Sequence, residues 1–429
     1  MNFSKQTFIT AFALFSLFFG AGNLILPPFL GYNAGENWVW VVLGFAVSAV
    51  VIPILAIYGH ARLQGTLLDF ANKVSPVFAV IYSGIVYIIS VSLPSPRTAS
   101  VTYEMAIQPY FDISSLWVSA IYFALVLVVV LNRSTIITVI GKYLTPLIIL
   151  ILLLIISIGV FMDVPALQAS IFDNSFTSGI LEGYQTFDAI GGVVVGGVIV
   201  ISLAIQGKYN YKEKKAMIAK AGLLAGFALF LIYGGLIALG AFNSSTLGIE
   251  NRTELLTLLS TQTLGNIGTA FLAVLVALAC FTTAVGIVTG TSDFVKGLLG
   301  NSQKAYYITA VLGCILGVAV GQFNVGYIID IALPALMFIY PITIVLILLN
   351  ILPNRFASKL VFRSVVFVTF IFSIPDFLQF IVSEESLVPL KELIPLSAFS
   401  LGWVLPAFIT FLITTTLTFR KEKSGKEMV

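Results

Sequence analysis

One carboxylate stands in the middle of an otherwise apolar segment. Asp188 is the only charged residue between Glu182 and Lys208, in the stretch LEGYQTFDAIGGVVVGGVIV. An aspartate near the centre of a bilayer costs at least about 2.5–3.5 kcal/mol on insertion scales, so it normally faces a partner, a cavity or an ion path. With Thr186 before it and Gly191-Gly192 after it, Asp188 predicts a binding site inside the membrane; a buried aspartate used only for helix packing is the alternative.

A second unusual segment is LFSLFFGAGNLILPPFL, which starts at Leu14. It has the length and apolarity of a membrane helix, yet Gly20-Ala21-Gly22-Asn23 lies at its centre. Glycine tolerates unusual backbone dihedrals, and asparagine adds a side-chain carbonyl oxygen for a ligand. Unwound backbone inside a membrane is tolerated only where protein or an aqueous cavity surrounds it. We therefore expect the helix to unwind at Gly20–Asn23, with close helix packing through small residues as the alternative.

Two adjacent hydroxyls form a third candidate. Thr282 and Thr283 lie in LACFTTAVGIVTG, within a run that carries no charge between Glu254 and Asp293. Threonines in membrane helices often donate to their own backbone four residues earlier, and that interpretation stays open. If the side chains point inward, they are neutral oxygen ligands of the kind that a sodium ion accepts beside backbone carbonyls.

Composition identifies the elements that carry these residues as membrane helices. Of the 429 residues, 59% are hydrophobic and only 10% are charged, and the mean hydropathy is +1.05. A spanning helix needs about 20 mostly apolar residues, and the first apolar segment lacks a signal-peptide cleavage site, so it counts as an uncleaved span. The sequence predicts an all-α polytopic membrane protein with twelve transmembrane helices, at residues 8–30, 38–58, 76–93 (or continuing to 107), 116–131, 136–161, 179–205, 216–241, 264–292, 306–323, 325–352, 361–382 and 396–419.

The distribution of basic residues predicts the orientation. Lysine and arginine concentrate in cytoplasmic loops. With the N-terminus inside, only Arg97, Arg252 and Lys391 of the 22 basic residues fall on the outer side. Both termini are therefore expected in the cytoplasm.

The two interrupted segments fall in the first and sixth spans, so five helices separate equivalent features. An odd number of spans places the second unit in the membrane upside down. Interrupted segments at matching positions of two inverted halves are the best sequence pointer to a transporter binding site. We expect a 5+5 inverted repeat, at about residues 7–161 and 178–352, with two additional C-terminal helices at about 361–419, all in one transporter domain covering 1–429.

An enzyme or a channel is less compatible with the sequence. Membrane enzymes normally cluster acids or histidines, whereas this chain has one histidine and no acidic motif within a span. We expect that histidine, His60, to be a solvated loop side chain. A channel filter needs a repeated pore loop, and the sequence contains none that is comparable.

At these residues the sequence resembles the bacterial branched-chain amino acid:cation symporters, which belong to the superfamily with the LeuT-type fold. The resemblance extends over essentially the whole chain. It is carried by LFFGAGNLILPPFLG, PRTASVTYE, IGKYLTP, EGYQTFDAI, ACFTTAVG and ALPALMFIYP.

The resemblance implies sodium-coupled import of leucine, isoleucine and valine across the bacterial cytoplasmic membrane by alternating access. Na⁺ would be co-transported, without a cofactor, a nucleic acid or an obligate protein partner. Substrate-binding positions carried over from the family's pattern are Gly20, Gly22, Asn23, Tyr184, Thr186 and Asp188. Cation-binding positions are Asn23 together with the carbonyls of Ser16 and Phe19 and the side chains of Thr282 and Thr283.

The chain departs from the family's usual pattern at two positions. Phe187 stands where methionine is more usual, and Phe281 where leucine is more usual. Both changes enlarge a side chain beside the expected pocket. Because Asp188 can be protonated, a proton-coupled or broader neutral amino acid symporter of the same fold remains an alternative.

Overall fold

The computed structural model describes residues 5–132, 136–161, 166–205, 210–245, 249 and 251–426. This part of the chain is helical and contains no strand. Its α-helices, in chain order, are α1 Lys5–Phe18, α2 Ala21–Ala34, α3 Trp38–Ala46, α4 Ile52–Leu63, α5 Leu67–Ala71, α6 Pro76–Ser92, α7 Pro94–Thr102, α8 Ser115–Asn132, α9 Ile136–Val160, α10 Ser175–Tyr184, α11 Asp188–Ile205, α12 Tyr211–Phe242, α13 Arg252–Leu298, α14 Gln303–Gly321, α15 Val325–Ile351, α16 Lys359–Leu378, α17 Glu384–Leu393 and α18 Val404–Lys426.

Eight helical stretches within the described residues are long and apolar enough to cross a membrane, and shorter apolar helices are present at Lys5–Phe18, Thr145–Val160 and Val404–Phe419. One stretch, Gly22–Leu63, has 42 residues and covers the second half of predicted span one and all of span two. Another, Pro76–Ile107, shows that the third span continues beyond Leu93. The expectation of an all-helical membrane protein is confirmed, whereas the count of twelve and the inverted repeat stay predictions.

The first helix is interrupted, as expected, but over fewer residues. Helix α1 ends at Phe18 and α2 begins at Ala21, so Phe19 and Gly20 alone are non-helical. The prediction that Gly22 and Asn23 belong to the unwound segment is wrong, because both lie in the first turn of α2. Helix α2 then continues through Pro27-Pro28.

The second interruption lies at Gln185–Phe187, between α10 and α11. It precedes Asp188, and the Gly191-Gly192 pair is helical inside α11. This interruption contains no glycine, and Phe187 adopts a φ of +62°. A bulky residue rarely occupies that left-handed region, which costs of order 1–3 kcal/mol.

The chain divides into two compact units, of which the first comprises Met1–Val51, Tyr87–Asp188 and Lys220–Asp330. Its apolar core contains Ala99 of α7, Phe123 of α8, Val285 of α13 and Tyr306 of α14. This packing fixes α7 and α13 relative to each other, and both helices carry residues that prove to lie beside the interruptions. Cys280 is buried there as a free thiol, in keeping with a packing role.

The second unit comprises Ile52–Val86, Ala189–Ala219 and Ile331–Val429. His60 is fully buried in α4 of this unit. Its Nε2 lies 2.8 Å from the carbonyl oxygen of Val193 and its Nδ1 3.1 Å from that of Gly65, and its ring stacks on Phe70. The expectation of a solvated loop histidine is therefore wrong, since backbone carbonyls supply the partners that water was expected to supply.

Candidate functional site

The first interruption is held by the Asn23 side chain. In a continuous helix the Gly20 amide would donate to the carbonyl of Ser16, four residues earlier. Instead it donates to Asn23 Oδ1, at 3.2 Å. Gly20 has φ −114° and ψ −168°, which is extended backbone that any residue adopts. Asn23 thus replaces a helical hydrogen bond at the point where the helix stops.

The second interruption is held by Thr186. Its hydroxyl donates to the Gly183 carbonyl, at 2.8 Å, and accepts from the Asp188 amide, at 3.2 Å. One hydroxyl therefore bonds both to the end of α10 and to the start of α11, and it gives the Asp188 amide an acceptor that the start of a helix otherwise lacks. Tyr184, the last residue of α10, is also fully buried.

The two interruptions meet through a polar contact between their flanking residues. Asn23 Nδ2 donates to both carboxylate oxygens of Asp188, at 2.8 and 2.7 Å. The Tyr233 hydroxyl of α12 donates to Asp188 Oδ2 at 3.0 Å and contacts Asn23 Nδ2. Asn23 and Asp188 are each only 2% exposed. A buried carboxylate with this many donors fixes the start of α2, the start of α11 and the middle of α12.

Tyr233 was missed by reasoning from the sequence. It lies in an apolar helix without a neighbouring charge or an interruption, so nothing distinguished it from other aromatic residues. Its ring also packs at 6.4 Å from that of Phe19, and Phe19 in turn stacks on Phe15 at 5.1 Å. The Phe19 side chain therefore serves in packing. Only the backbone of Phe19 is available to bind a ligand.

Both threonines of α13 donate to the carbonyl of Ala279, Thr282 at 2.9 Å and Thr283 at 3.0 Å. The alternative interpretation, in which they bond their own helix, is correct for the hydroxyl protons. Each oxygen keeps lone pairs that can accept or coordinate. Thr283 also lies beside the first interruption, because a Cβ added to Gly20 would be 3.4 Å from its Cγ2.

The described residues contain no group of three or more His, Cys, Asp or Glu that could hold a metal ion.

Arg97 was expected on the outer side, and the structure places it in the interior. It lies on α7 with 3% exposure, and its Nη1 donates to the carbonyl oxygen of Gln185, at 2.9 Å. The guanidinium also lies 5.2 Å from the centre of the Phe187 ring. Arg97 is therefore a buried residue of α7, and its position towards the outer side of the membrane stays a prediction.

Phe281 faces the packed core of the first unit. Its ring makes an edge contact with Tyr122 of α8, at 5.8 Å, and it packs against the cluster that includes Val285. Of the two enlarged side chains, Phe187 is thus the one at an interruption, whereas Phe281 packs against α8.

Two solved structures share the fold of this chain over nearly its whole length. The inward-facing structure of Mhp1 aligns with a TM-score of 0.61 at 11% identity, over 97% of this chain and 91% of that one. MhsT in complex with L-phenylalanine aligns with a TM-score of 0.54 at 16% identity, over 97% and 98% of the two chains. At such low identity the likeness concerns the fold alone.

Characterised relatives are much closer in sequence. The branched-chain amino acid permease BrnQ of Bacillus subtilis is 33% identical over 93% of both chains, and BraB of the same organism is 33% identical over 96% of both. BrnQ of Corynebacterium glutamicum is 30% identical over 97% of this chain and 96% of its own length. These relatives are permeases, so the prediction of a multi-pass membrane transporter and not an enzyme is confirmed.

The sequence model described as branched-chain amino acid transport protein matches residues 3–421, which is nearly the whole chain. The family resemblance expected from the motifs is therefore correct. This chain belongs to the branched-chain amino acid transport protein family.

Proposed function

We propose that this protein is a symporter that imports leucine, isoleucine and valine together with sodium across the bacterial cytoplasmic membrane by alternating access. The observation that carries the proposal is the pair of hydrogen bonds from Asn23 to Asp188. These bonds join two helix interruptions in a chain whose relatives are branched-chain amino acid permeases. We further propose that both termini lie in the cytoplasm.

The substrate site of this proposal lies at the two interruptions. The first turn of α2, with Gly20, Gly22 and Asn23, would receive the substrate carboxylate, because the amides at a helix N-terminus attract an anion. Tyr184, Thr186 and Asp188 would line the substrate on the opposite side. The Asp188 carboxylate is the group that matches the substrate ammonium in charge.

Sodium would bind close to the same interruption. One proposed site uses the carbonyls of Ser16 and Phe19 with the hydroxyls of Thr282 and Thr283, and another uses Asn23. The diversion of the Gly20 amide to Asn23 supports the first site, because the Ser16 carbonyl loses its usual helical donor. The position of Thr283 beside Gly20 supports it as well.

Coupling follows from charge. The substrate ammonium would lie at Asp188, and the substrate carboxylate would lie apart from it at the α2 N-terminus, where a negative charge in poorly solvated surroundings is costly. A cation bound beside the carboxylate offsets that charge. Substrate and sodium would therefore each favour the binding of the other.

Proton coupling is the second candidate, because Asp188 is a carboxylate 2% exposed within the membrane-spanning part of the chain. In that case protonation of Asp188 would replace sodium binding in the transport cycle. Both candidates keep the same substrate and the same site.

The two are separated by uptake of labelled leucine into proteoliposomes under sodium and proton gradients imposed one at a time. We expect accumulation with an inward sodium gradient at constant pH, and none with a proton gradient in sodium-free buffer. Accumulation driven by protons and indifferent to sodium would overturn sodium coupling. No leucine uptake under either gradient, with uptake of another amino acid, would overturn the substrate assignment.

A further inference from the structure

A buried positive charge lies at the interruptions. Arg97 donates from Nη1 to the carbonyl of Gln185, which is a non-helical residue of the second interruption. An arginine of 3% exposure in a membrane protein is costly unless it serves as a partner for negative charge or as part of a binding site. The proposed function assigns it no role.

The same guanidinium lies against the first interruption. A Cβ added to Gly22 would be 2.8 Å from Arg97 Cζ, and it would overlap Nη2. Gly22 belongs to the first turn of α2, whose leading amides have no helical acceptor. The absence of a side chain at Gly22 therefore lets the Arg97 guanidinium approach the N-terminus of α2. The positive charge of the arginine and the partial positive charge of the helix N-terminus then lie at the same place.

Arg97 and Asp188 form a pair of opposite charges within one unit. Arg97 donates to the carbonyl of Gln185, three residues before Asp188, and its guanidinium lies 5.2 Å from the ring centre of Phe187, the residue that directly precedes Asp188. Asp188 already receives donors from Asn23 and Tyr233. The site thus presents a positive group and a negative group, which is the charge pattern that matches an α-amino acid zwitterion.

We infer that Arg97 binds the substrate carboxylate, together with the α2 N-terminus at Gly22, and selects substrates that carry a free carboxylate. The inference rests on the proposed function, because it names a residue of that same substrate site. Guanidinium and carboxylate match in geometry as well as in charge, and such hydrogen bonds are stronger than neutral ones. The carboxylate position proposed above, at the N-terminus of α2, is kept, and a side-chain donor is added to it.

The test compares three ligands on the purified protein by isothermal titration: leucine, leucinamide, which lacks the carboxylate, and 4-methylpentanoate, which lacks the ammonium. Wild type should bind leucine best. Hydrogen bonds to charged groups of this strength correspond to roughly 10- to 100-fold in affinity. Arg97→Gln should weaken leucine by that factor and leave leucinamide within about threefold, so that the preference for leucine over leucinamide collapses.

Arg97→Lys keeps the charge without the paired donors, and it should recover part of the preference. Asp188→Asn should instead reduce the preference for leucine over 4-methylpentanoate. Arg355→Gln is the matched control, because Arg355 also lies over a phenylalanine ring, at 4.6 Å from Phe356, but in the second unit. It should leave all three affinities unchanged.

A merely structural role predicts a different result, in which Arg97→Gln weakens leucine and leucinamide by the same factor. That result, or unchanged leucine binding, would overturn the inference and leave the proposed function standing. If Arg97→Gln does not fold, the same ratio is measured with Arg97→Lys. Failure of the wild type to bind leucine would overturn the proposed function and this inference together.

Discussion

Both helix interruptions have backbone groups that are bonded by a nearby side chain, but the backbone conformation and the bonding side chain differ between them. At the first, the backbone of Gly20 is extended and unstrained, and one side chain, Asn23, accepts the displaced amide. At the second, Phe187 occupies a left-handed conformation, and the hydroxyl of Thr186 bonds on both sides of the gap. Only the first carries glycine, yet glycine is not needed there for its φ.

The comparison shows what glycine does at this site. Gly22 provides room for the Arg97 guanidinium, and Gly20 lies beside Thr283. The second interruption needs no such room, since Phe187 itself faces the guanidinium. Close approach of the Arg97 guanidinium explains Gly22, whereas a Cβ at Gly20 would make only ordinary contact with Thr283. Strain sustained by tertiary packing explains the second interruption.

The largest effect is expected at the residue that joins the interruptions. Asp188→Ala should reduce leucine uptake more than about 100-fold, because it removes the buried carboxylate that accepts hydrogen bonds from Asn23 and Tyr233. Uptake by proteoliposomes of equal protein content measures it. Asp69→Ala is the control: this carboxylate also accepts two hydrogen bonds, from Thr66, but at an exposed helix start. Loss of transport in both variants would refute a specific role of Asp188.

Gly22→Ala tests close approach at the first interruption. The new Cβ would overlap the Arg97 guanidinium, and overpacking of this kind costs about 1–3 kcal/mol. We expect leucine to bind roughly tenfold more weakly in a titration. Gly286→Ala on α13 should have no such effect, since nothing lies within 4 Å of its Cβ position. Unchanged binding by Gly22→Ala would show that this glycine does not serve the arginine.

Thr283→Val tests whether the first interruption binds sodium. Loss of one oxygen ligand should raise the sodium concentration for half-maximal uptake by about three- to tenfold, a change of roughly 1 kcal/mol. The matched control is Thr291→Val, which removes a hydroxyl bonded in the same way to its own helix, at 2.8 Å from the Ile287 carbonyl. An equal sodium dependence of both variants and the wild type would assign Thr283 to packing.

The smallest effect concerns strain at the second interruption. Phe187→Gly should be more stable than Phe187→Ala by about 1 kcal/mol, because a left-handed backbone penalises alanine but not glycine. Thermal unfolding in detergent compares the two variants. At the first interruption Gly20→Ala should lower the stability by less than the difference expected between the two Phe187 variants. The φ of Gly20 is −114°, and the nearest atom to the new Cβ is at 3.4 Å. A reversed order at Phe187 would mean that its conformation stores no strain.

The sequence predicted the features that depend on local composition. Apolar runs predicted the membrane helices, and Asp188 was distinguished as the one charged residue within such a run. Features that depend on contacts between distant segments were not predictable in this way. The second interruption falls at Gln185–Phe187, where packing overrides local preference, and the glycine pair Gly191-Gly192 that was thought to mark it is helical.

Arg97 and Tyr233 illustrate the same limit. Arg97 follows two prolines and has polar neighbours, which is typical of a loop, but α7 turns it into the interior. Tyr233 resembles any aromatic residue in a membrane helix until the fold places it beside Asp188. The sequence thus identified the helix interruptions and the Asp188 carboxylate of the candidate site. The buried Arg97 side chain and the Tyr233 hydroxyl became recognisable only in the three-dimensional structure.

The central claim is that the two interruptions form one substrate site through Asn23 and Asp188. A double-mutant cycle with Asn23→Ala, Asp188→Ala and the double variant, read as the free energy of leucine binding, tests it most directly. We expect the double variant to bind about as weakly as the weaker single one, which gives an interaction energy of roughly 1–3 kcal/mol. Effects that add to within about 0.5 kcal/mol would contradict a shared site.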